Sequence, residues 1–317
     1  MKFKNAALLC SAIACLATGA PKAHAKGMII PAYLPLTDTA NWQVLAEDAA
    51  YMRDGTNANY KDYWVVVNSA NNGPFSTSAD WTTAATKFNP IRANAGKIFG
   101  YVHTCTTPTS TTYRTLASVE ADITAWVTGY SNLDGIWLDE YYPRFEVAGT
   151  ASGPSPTFPN GTALAPYDLS FVNPDGTWVG SYPQIDPSGG YYSQLTGWIR
   201  STYPKLRIIG NAGGWFYSNQ INYTDIVDVT CSFEQTLDYA SAPSSTWTQL
   251  NRQNTTTTKK QLALIHTNST NLAGAIDQSI SHGYTHFYTT DRILTNNIWG
   301  GLPPYFTTEV QYIANHS

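Results

Sequence analysis

From Gly27 onwards one unit of hydrophobic patterning recurs along the chain: a β-branched or aromatic apolar run, a polar loop, then a stretch with helical spacing. The apolar runs are Met28–Leu34, Tyr63–Asn68, Lys97–His103, Asp134–Asp139, Leu206–Asn211, Ile226–Phe233, Gln261–His266 and Thr285–Thr289. Each is short and bounded by turn residues, the pattern of a strand covered on both faces. Helices are expected between them near Trp42–Met52, Trp81–Ala95, Ser118–Tyr130, Tyr191–Tyr203, Trp215–Asn222, Ser245–Arg252, Leu272–His282 and Tyr305–Ala314. The stripe Val119, Ile123, Trp126 and Val127 is the clearest of these, with Ser118 placed to cap it.

Strand and helix in alternation imply a parallel sheet, and eight such units imply an α/β fold of the (β/α)8 TIM-barrel type. The competing arrangement is a doubly wound open sheet with a small second domain. No Gly-rich phosphate fingerprint follows the first run, which argues against a dinucleotide-binding version of it. One connection is out of proportion. Residues 141–190, after the fourth strand, are rich in Gly, Pro, Ser, Thr and aromatics and carry no clear element. In a barrel this long insertion hangs over the C-terminal face, where its aromatic residues would wall a groove. A decorative insertion is the plainer reading.

Composition narrows the setting. Lys2 and Lys4, an apolar run from Ala6 and the cleavage pattern Ala23-His24-Ala25 describe a secretory signal peptide cut after Ala25. No later segment is apolar enough to span a membrane, so residues 26–317 are expected as one exported domain, a monomer, of roughly 290 residues. The chain carries a net charge of -4, and loss of Lys2, Lys4 and Lys22 makes the mature protein more acidic. With no basic patch, nucleic acid is excluded as a partner. Charged residues are scarce beside 21 Tyr and 10 Trp, a balance that suits carbohydrate because sugar C–H faces stack on aromatic rings. Ordinary cores are also aromatic. Only Cys105 and Cys231 lie beyond the leader, too few for a disulfide framework, and both are expected as buried thiols.

Polar residues at the strand ends are the candidates for chemistry: Tyr33, Asn68, His103, Asp139 with Glu140, Asn211, Glu234, His266 and Asp291. Any one of them could be a cap or a loop hydrogen bond. A ring that includes several acids asks for more. Asp139 and Glu140 end one buried run and Glu234 ends another, and strands four and six are second neighbours around a barrel, so these carboxyls can face each other. Paired carboxyls cleave glycosidic bonds with retention at about 5–5.5 Å and with inversion at about 6.5–9.5 Å. Other chemistries lack support. His282 and His286 have no third ligand at metal spacing, no Gly-x-Ser-x-Gly elbow occurs, and Cys105 has no activating constellation. Neither metal nor cofactor is expected.

The fragments Ile30-Pro31-Ala32-Tyr33, Val66-Val67-Asn68, Asn72-Gly73-Pro74, Gly100-Tyr101-Val102-His103-Thr104, Asp134-Gly135-Ile136-Trp137-Leu138-Asp139-Glu140, Phe233-Glu234, His266-Thr267 and Leu302-Pro303-Pro304-Tyr305 together resemble the spherulin 4-like, or spherulation-specific, family, grouped with glycoside hydrolase family 135. The resemblance implies a (β/α)8 barrel that cleaves α-1,4-linked N-acetylgalactosamine in exopolysaccharide, with Asp139, Glu140 and Glu234 as its acids. Two departures, Ser69 with an extra Asn and Thr106 in place of a common Tyr, border the expected cleft and bear on subsite preference. The expectation is a secreted, endo-acting, retaining glycoside hydrolase with a polysaccharide substrate. Asp139 would act as nucleophile, Glu234 as acid and base, and Glu140 as helper, although the residues leave that division open. Tyr33, Asn68, His103, Tyr141, Asn211, His266 and Asp291 are the expected substrate contacts. A non-catalytic polysaccharide-binding protein on the same barrel is the alternative.

Overall fold

The structure, a computed structural model, describes residues 27–53, 61–69, 72–105, 114–141, 191–212, 226–236, 260–268, 271–293 and 297–315. Within them the chain runs β1 (Gly27–Ala32), α1 (Thr39–Arg53), β2 (Asp62–Val67), α2 (Ser78–Ala93), β3 (Lys97–His103), α3 (Leu116–Gly129), β4 (Gly135–Asp139), α4 (Tyr191–Thr202), β5 (Arg207–Asn211), β6 (Val229–Thr236), β7 (Lys260–His266), α5 (Leu272–Ser281), β8 (His286–Thr289) and α6 (Phe306–Asn315). The eight strands pair in parallel in chain order and close into a barrel. The expected leader, most of the long insertion after β4, and the helices expected at Trp215–Asn222 and Ser245–Arg252 lie outside the described residues.

Alternation decides which side chains fill the barrel. Trp64 of β2 stacks on Phe99 of β3 at 4.9 Å, meets His286 of β8 at 5.4 Å, and lies beneath Arg207 of β5 and Lys260 of β7. Only the interior is within reach of five strands, so Asp62, Trp64, Val66 and Asn68 point inward. At the N-terminal end Asp62 accepts from Lys260 Nζ at 2.6 Å and His286 Nε2 at 3.2 Å. Burial opposes ionisation of Asp62, yet these hydrogen bonds hold its carboxyl well below the usual carboxylate range.

On the outer face small residues admit large ones. A Cβ on Gly100 would collide with the indole of Trp126 on α3, and a Cβ on Gly210 would lie 2.5 Å from Cδ1 of Tyr141. Trp42, Trp64, Trp126 and Trp137 are all essentially fully buried. Burying one such ring is worth about 4 kcal/mol or more before conformational costs, more than the ~2–4 kcal/mol of a disulfide. That is how the described barrel stands with Cys105 and Cys231 as buried thiols and no bond between them.

Most boundaries shift by a residue or a few from the sequence pattern, and three of the shifts are instructive. Helix α3 starts at Leu116 with Thr115 as its N-cap, accepting from Ser118 N, so Ser118 is inside the first turn and is not the cap. β1 ends at Ala32, because Tyr33 N leaves the ladder for Trp299 O at 3.0 Å. β6 begins three residues later than the apolar run and continues to Thr236. Asp228 explains the late start: its carboxylate accepts from Ile208 N at 2.7 Å and pairs with Arg200 at 2.8 Å, which fixes residues 226–228 as a bend.

Candidate active site

The inward rows converge on two carboxyls. Asp139 is the last residue of β4 and stands in register with His103 of β3. Its Oδ2 accepts from Tyr101 Oη at 2.6 Å, and its Oδ1 accepts from Asn211 Nδ2 at 2.7 Å and Trp137 Nε1 at 3.3 Å. Alternation explains the set, since Tyr101, Trp137 and Asn211 occupy inward positions on β3, β4 and β5.

Glu234 reaches the same place by an irregularity. The register of β6 against β7 runs Val229↔Lys260 and Cys231↔Leu262, then resumes at Phe233↔Ala263 and Glu234↔Leu264, so Ser232 is an extra residue. Without this bulge Cys231 and Phe233 would share the inner face and Glu234 would point outward. With it Phe233 turns out to meet Tyr284 at 6.3 Å, and Glu234 turns in. Glu234 Oε2 then accepts from Asn211 Nδ2 at 3.0 Å, and its Oε1 accepts from Trp299 Nε1 at 3.2 Å.

One amide nitrogen, Asn211 Nδ2, therefore bridges the two acids. The oxygens it holds cannot be further apart than its two bond lengths laid end to end, and for a planar amide they lie roughly 5 Å apart. Burial, and next the charge of Asp139, push the Glu234 carboxyl up to about 7 against the opposing hydrogen bonds of Asn211 and Trp299. The pair thus offers a hydrogen-bonded acceptor beside an acid that holds its proton near neutrality.

Glu140 is separate from this pair. Its backbone is left-handed (φ 56), and its carboxylate accepts from Cys105 N at 2.9 Å in the β3–α3 connection. Its carbonyl accepts from Tyr192 Oη at 2.7 Å and Thr104 Oγ1 at 3.1 Å, while Thr104 Oγ1 also holds Asp139 O at 2.8 Å. A non-glycine residue in this region carries a strain of about 1 kcal/mol or more, which these bonds offset. Glu140 sets the turn that aims Asp139.

The remaining expected contacts divide. Tyr33 meets Tyr101 edge-on at 5.4 Å, and burial followed by the charge of Asp139 pushes its hydroxyl well above the usual tyrosine range. Asn68 continues the inward row of β2 and is 8% exposed. His103 is half-buried and donates from Nδ1 to Cys105 O at 2.9 Å, and burial, followed by the nearby Arg114 cation, pushes its imidazole below the usual histidine range. His266 pairs in register with Thr236 and is likewise shifted down by burial. Asp291 follows β8 on the rim, and no hydrogen bond links it to the acid pair among the described residues. Tyr141 is placed apart from the acid pair. It is fully buried and packs on Tyr192 at 4.3 Å against Gly210, in the layer between barrel and helices.

Three site residues went unmarked by the sequence reading. Tyr101 and Trp137 lie two residues before His103 and Asp139, and a strict period-two reading would have put them on the same face. Trp299 comes from the segment after β8, where no periodicity points to it. Among the described residues no cluster of His, Cys, Asp and Glu is placed to hold a metal ion.

Comparison with known proteins bears on fold and family. The structure of Aspergillus clavatus Sph3 in complex with GalNAc superposes with a TM-score of 0.59 at 18% identity, covering 92% of this chain and 98% of that one. An O-GlcNAc hydrolase mutant of Thermobaculum terrenum (TM-score 0.46, 10% identity, 91% and 58% covered) and the tryptophan synthase complex of Pyrococcus furiosus (TM-score 0.46, 9% identity, 92% and 97% covered) are more distant. No curated protein matches the sequence. The model of spherulation-specific family 4 matches residues 27–151 and 172–313, which takes in all eight strands of the barrel and both acids, and the chain therefore belongs to spherulation-specific family 4.

Proposed function

We propose that this protein is a secreted glycoside hydrolase that cleaves α-1,4-linked N-acetylgalactosamine or galactosamine within an exopolysaccharide, with retention of anomeric configuration. The observation that carries the reading is the pair of carboxyls bridged by one amide nitrogen, Asn211 Nδ2, which donates to Asp139 Oδ1 at 2.7 Å and to Glu234 Oε2 at 3.0 Å. Two carboxyls close enough to share a donor suit a nucleophile and an acid acting on one glycosidic bond, which favours retention over the wider-set pair of an inverting site. Asp139 attacks the anomeric carbon while Glu234 gives its proton to the departing oxygen. Glu234, now a carboxylate, takes a proton from water, which displaces Asp139 and regenerates both groups. Tyr101 and Trp137 hold Asp139 on the line of attack. The choice of sugar rests on the family resemblance and on Sph3, whose structure contains GalNAc. Export rests on the leader sequence, and no helix among the described residues is long and apolar enough to cross a membrane.

The test is release of reducing ends from an α-1,4-linked galactosaminogalactan by the purified chain, with Asp139→Asn and Glu234→Gln as controls. Both substitutions are expected to lower the rate by about a thousandfold or more. Binding without any cleavage would replace this reading with that of a polysaccharide-binding protein. Proton NMR of the first product decides the stereochemistry, and a β anomer at early times would refute retention.

A further inference from the structure

The N-terminal mouth of the barrel gathers charge that the acid pair at the other end does not use. Residues in register on parallel strands share a face. Lys97 is the partner of the inward Trp64, and Arg207 pairs with Gly135, which pairs in turn with the inward Phe99, so both cations point into the barrel. Lys260 joins them from β7, with its Nζ on Asp62 Oδ2. The floor is the Trp64–Phe99 stack: the Arg207 guanidinium lies 5.0 Å and Lys260 Nζ 5.3 Å from the centroid of the Trp64 ring. All three cations are partly exposed, so solvent reaches the cluster.

The charges do not balance. Asp62 is the acid bonded to this cluster, and Lys260 and His286 already share it. Asp134, on the neighbouring outer side, is taken up by two hydrogen bonds from Arg92 and one from Ile98 N. Neither Lys97 nor Arg207 has an ion pair among the described residues. Burial, and next the charge of Arg207, push the Lys97 ammonium below the usual lysine range against the opposing pull of Asp134 and Asp62. Two cations thus stand together without a carboxylate, in a chain whose net charge is -4. Their repulsion is relieved only by an anion between them. A carboxylate would neutralise one. A tetrahedral dianion neutralises both, and its oxygens can meet the guanidinium fork, the Lys97 ammonium and the donors that Lys260 does not give to Asp62. We propose that Lys97, Arg207 and Lys260 form a binding site for a dianionic oxyanion, a phosphate or sulfate group, at the N-terminal mouth of the barrel. The site is independent of the hydrolase reading.

The experiment is calorimetric titration of the purified chain with inorganic phosphate at pH 8 and constant ionic strength, with thermal unfolding in parallel. Saturable one-to-one binding is expected, at least about tenfold tighter than that of chloride, with a Tm that rises with phosphate concentration. Lys97→Met and Arg207→Met keep the packing of the stems and should each weaken phosphate binding about tenfold. Lys97→Gln and Arg207→Gln serve if a methionine variant does not fold. Glycerol 3-phosphate separates the two sources of such a group: affinity equal to that of phosphate assigns the site to the phosphoryl end of a larger molecule, and loss of binding assigns it to the free ion. Phosphate binding no tighter than chloride, or unchanged in both variants, overturns the proposal and leaves the three cations as stems packed on an aromatic floor.

Discussion

Replacing Glu234 by Gln separates catalysis from stability, because the same burial that suits this group to donate a proton opposes its ionisation in the folded chain. The carboxyl lies at about 7 against an ordinary 4.5. At about 1.4 kcal/mol per tenfold, that displacement corresponds to about 3 kcal/mol of destabilisation once the group is ionised. The folded chain binds this proton more tightly than the unfolded chain, so the contribution is absent below about 4.5, grows as pH rises and is complete above about 7. Gln carries no charge, but its amide cannot accept from both Asn211 and Trp299, and losing one of those bonds costs about 1 kcal/mol. The variant should therefore be about 1 kcal/mol less stable than wild type at pH 4 and about 2 kcal/mol more stable at pH 8, a rise of several degrees in Tm there. Thermal unfolding followed by circular dichroism at the two pH values measures this, with hydrolysis assayed in parallel. A Tm difference of the same sign and size at both pH values would refute the claim that burial holds this proton. Activity of the wild type should fall about tenfold per pH unit above 7, since the acid must be protonated to act.

Other consequences follow from the same geometry. Asp139→Asn removes the second cause of the shift at Glu234 and leaves the first, so carbon-13 NMR of the labelled glutamate should show its titration moving below 7 while staying above 4.5. Asn211→Leu deletes the bridge between the acids; kcat should drop by about ten- to a hundredfold and the alkaline limb of the pH profile should move upward, as two carboxyls without a shared donor repel more strongly. Gly210→Ala would drive a methyl group into the ring of Tyr141 and should lower stability by about 1–3 kcal/mol in chemical denaturation, with activity per folded molecule retained. Glu309 is buried in α6 and accepts from Thr289 N at 2.7 Å, and burial pushes its carboxyl well above the usual range. Glu309→Gln keeps that acceptor, so it should be near neutral at pH 4 and stabilising at pH 8 by the same sign argument, whereas Glu309→Ala should be destabilising at both.

The barrel was legible because its strands are buried on both faces and so stand out as short apolar runs between polar loops. Asp139 was legible for the same reason, as charge appearing where Ile136, Trp137 and Leu138 end. What could not be read were the places where a side chain answers to a contact distant in sequence. Ser118 looks like a helix cap on spacing alone, but Thr115 is the residue whose backbone is extended there. Glu140 looks like half of an acidic pair. Two successive residues at a strand end diverge, and the left-handed turn sends its carboxylate to Cys105 N. Tyr141 follows by one more residue and falls back under α4, where the absence of a side chain at Gly210 makes space for it. Trp299 enters the site from a loop with no period of its own, and only its hydrogen bond to Glu234 shows why it is there.

The two acids are placed by opposite rules, and that asymmetry has a physical origin. Asp139 obeys alternation: it is two residues on from Trp137, and its position follows once the strand is known. Glu234 violates alternation, and its position depends on one extra residue. Ser232 is held in the bulge by its hydroxyl, which donates to Gln261 Oε1 at 2.6 Å and lies 3.3 Å from Tyr284 Oη, while the Cys231 thiol reaches Phe233 O at 3.6 Å. A regular β6 would place Phe233 in the barrel under the site and leave Glu234 in the helix layer. The bulge exchanges them: Phe233 is buried where an apolar ring belongs, and the carboxyl is brought to Asn211. An irregular strand is thus what allows two neighbouring requirements, a sealed outer layer and an inward acid, to be met by consecutive residues.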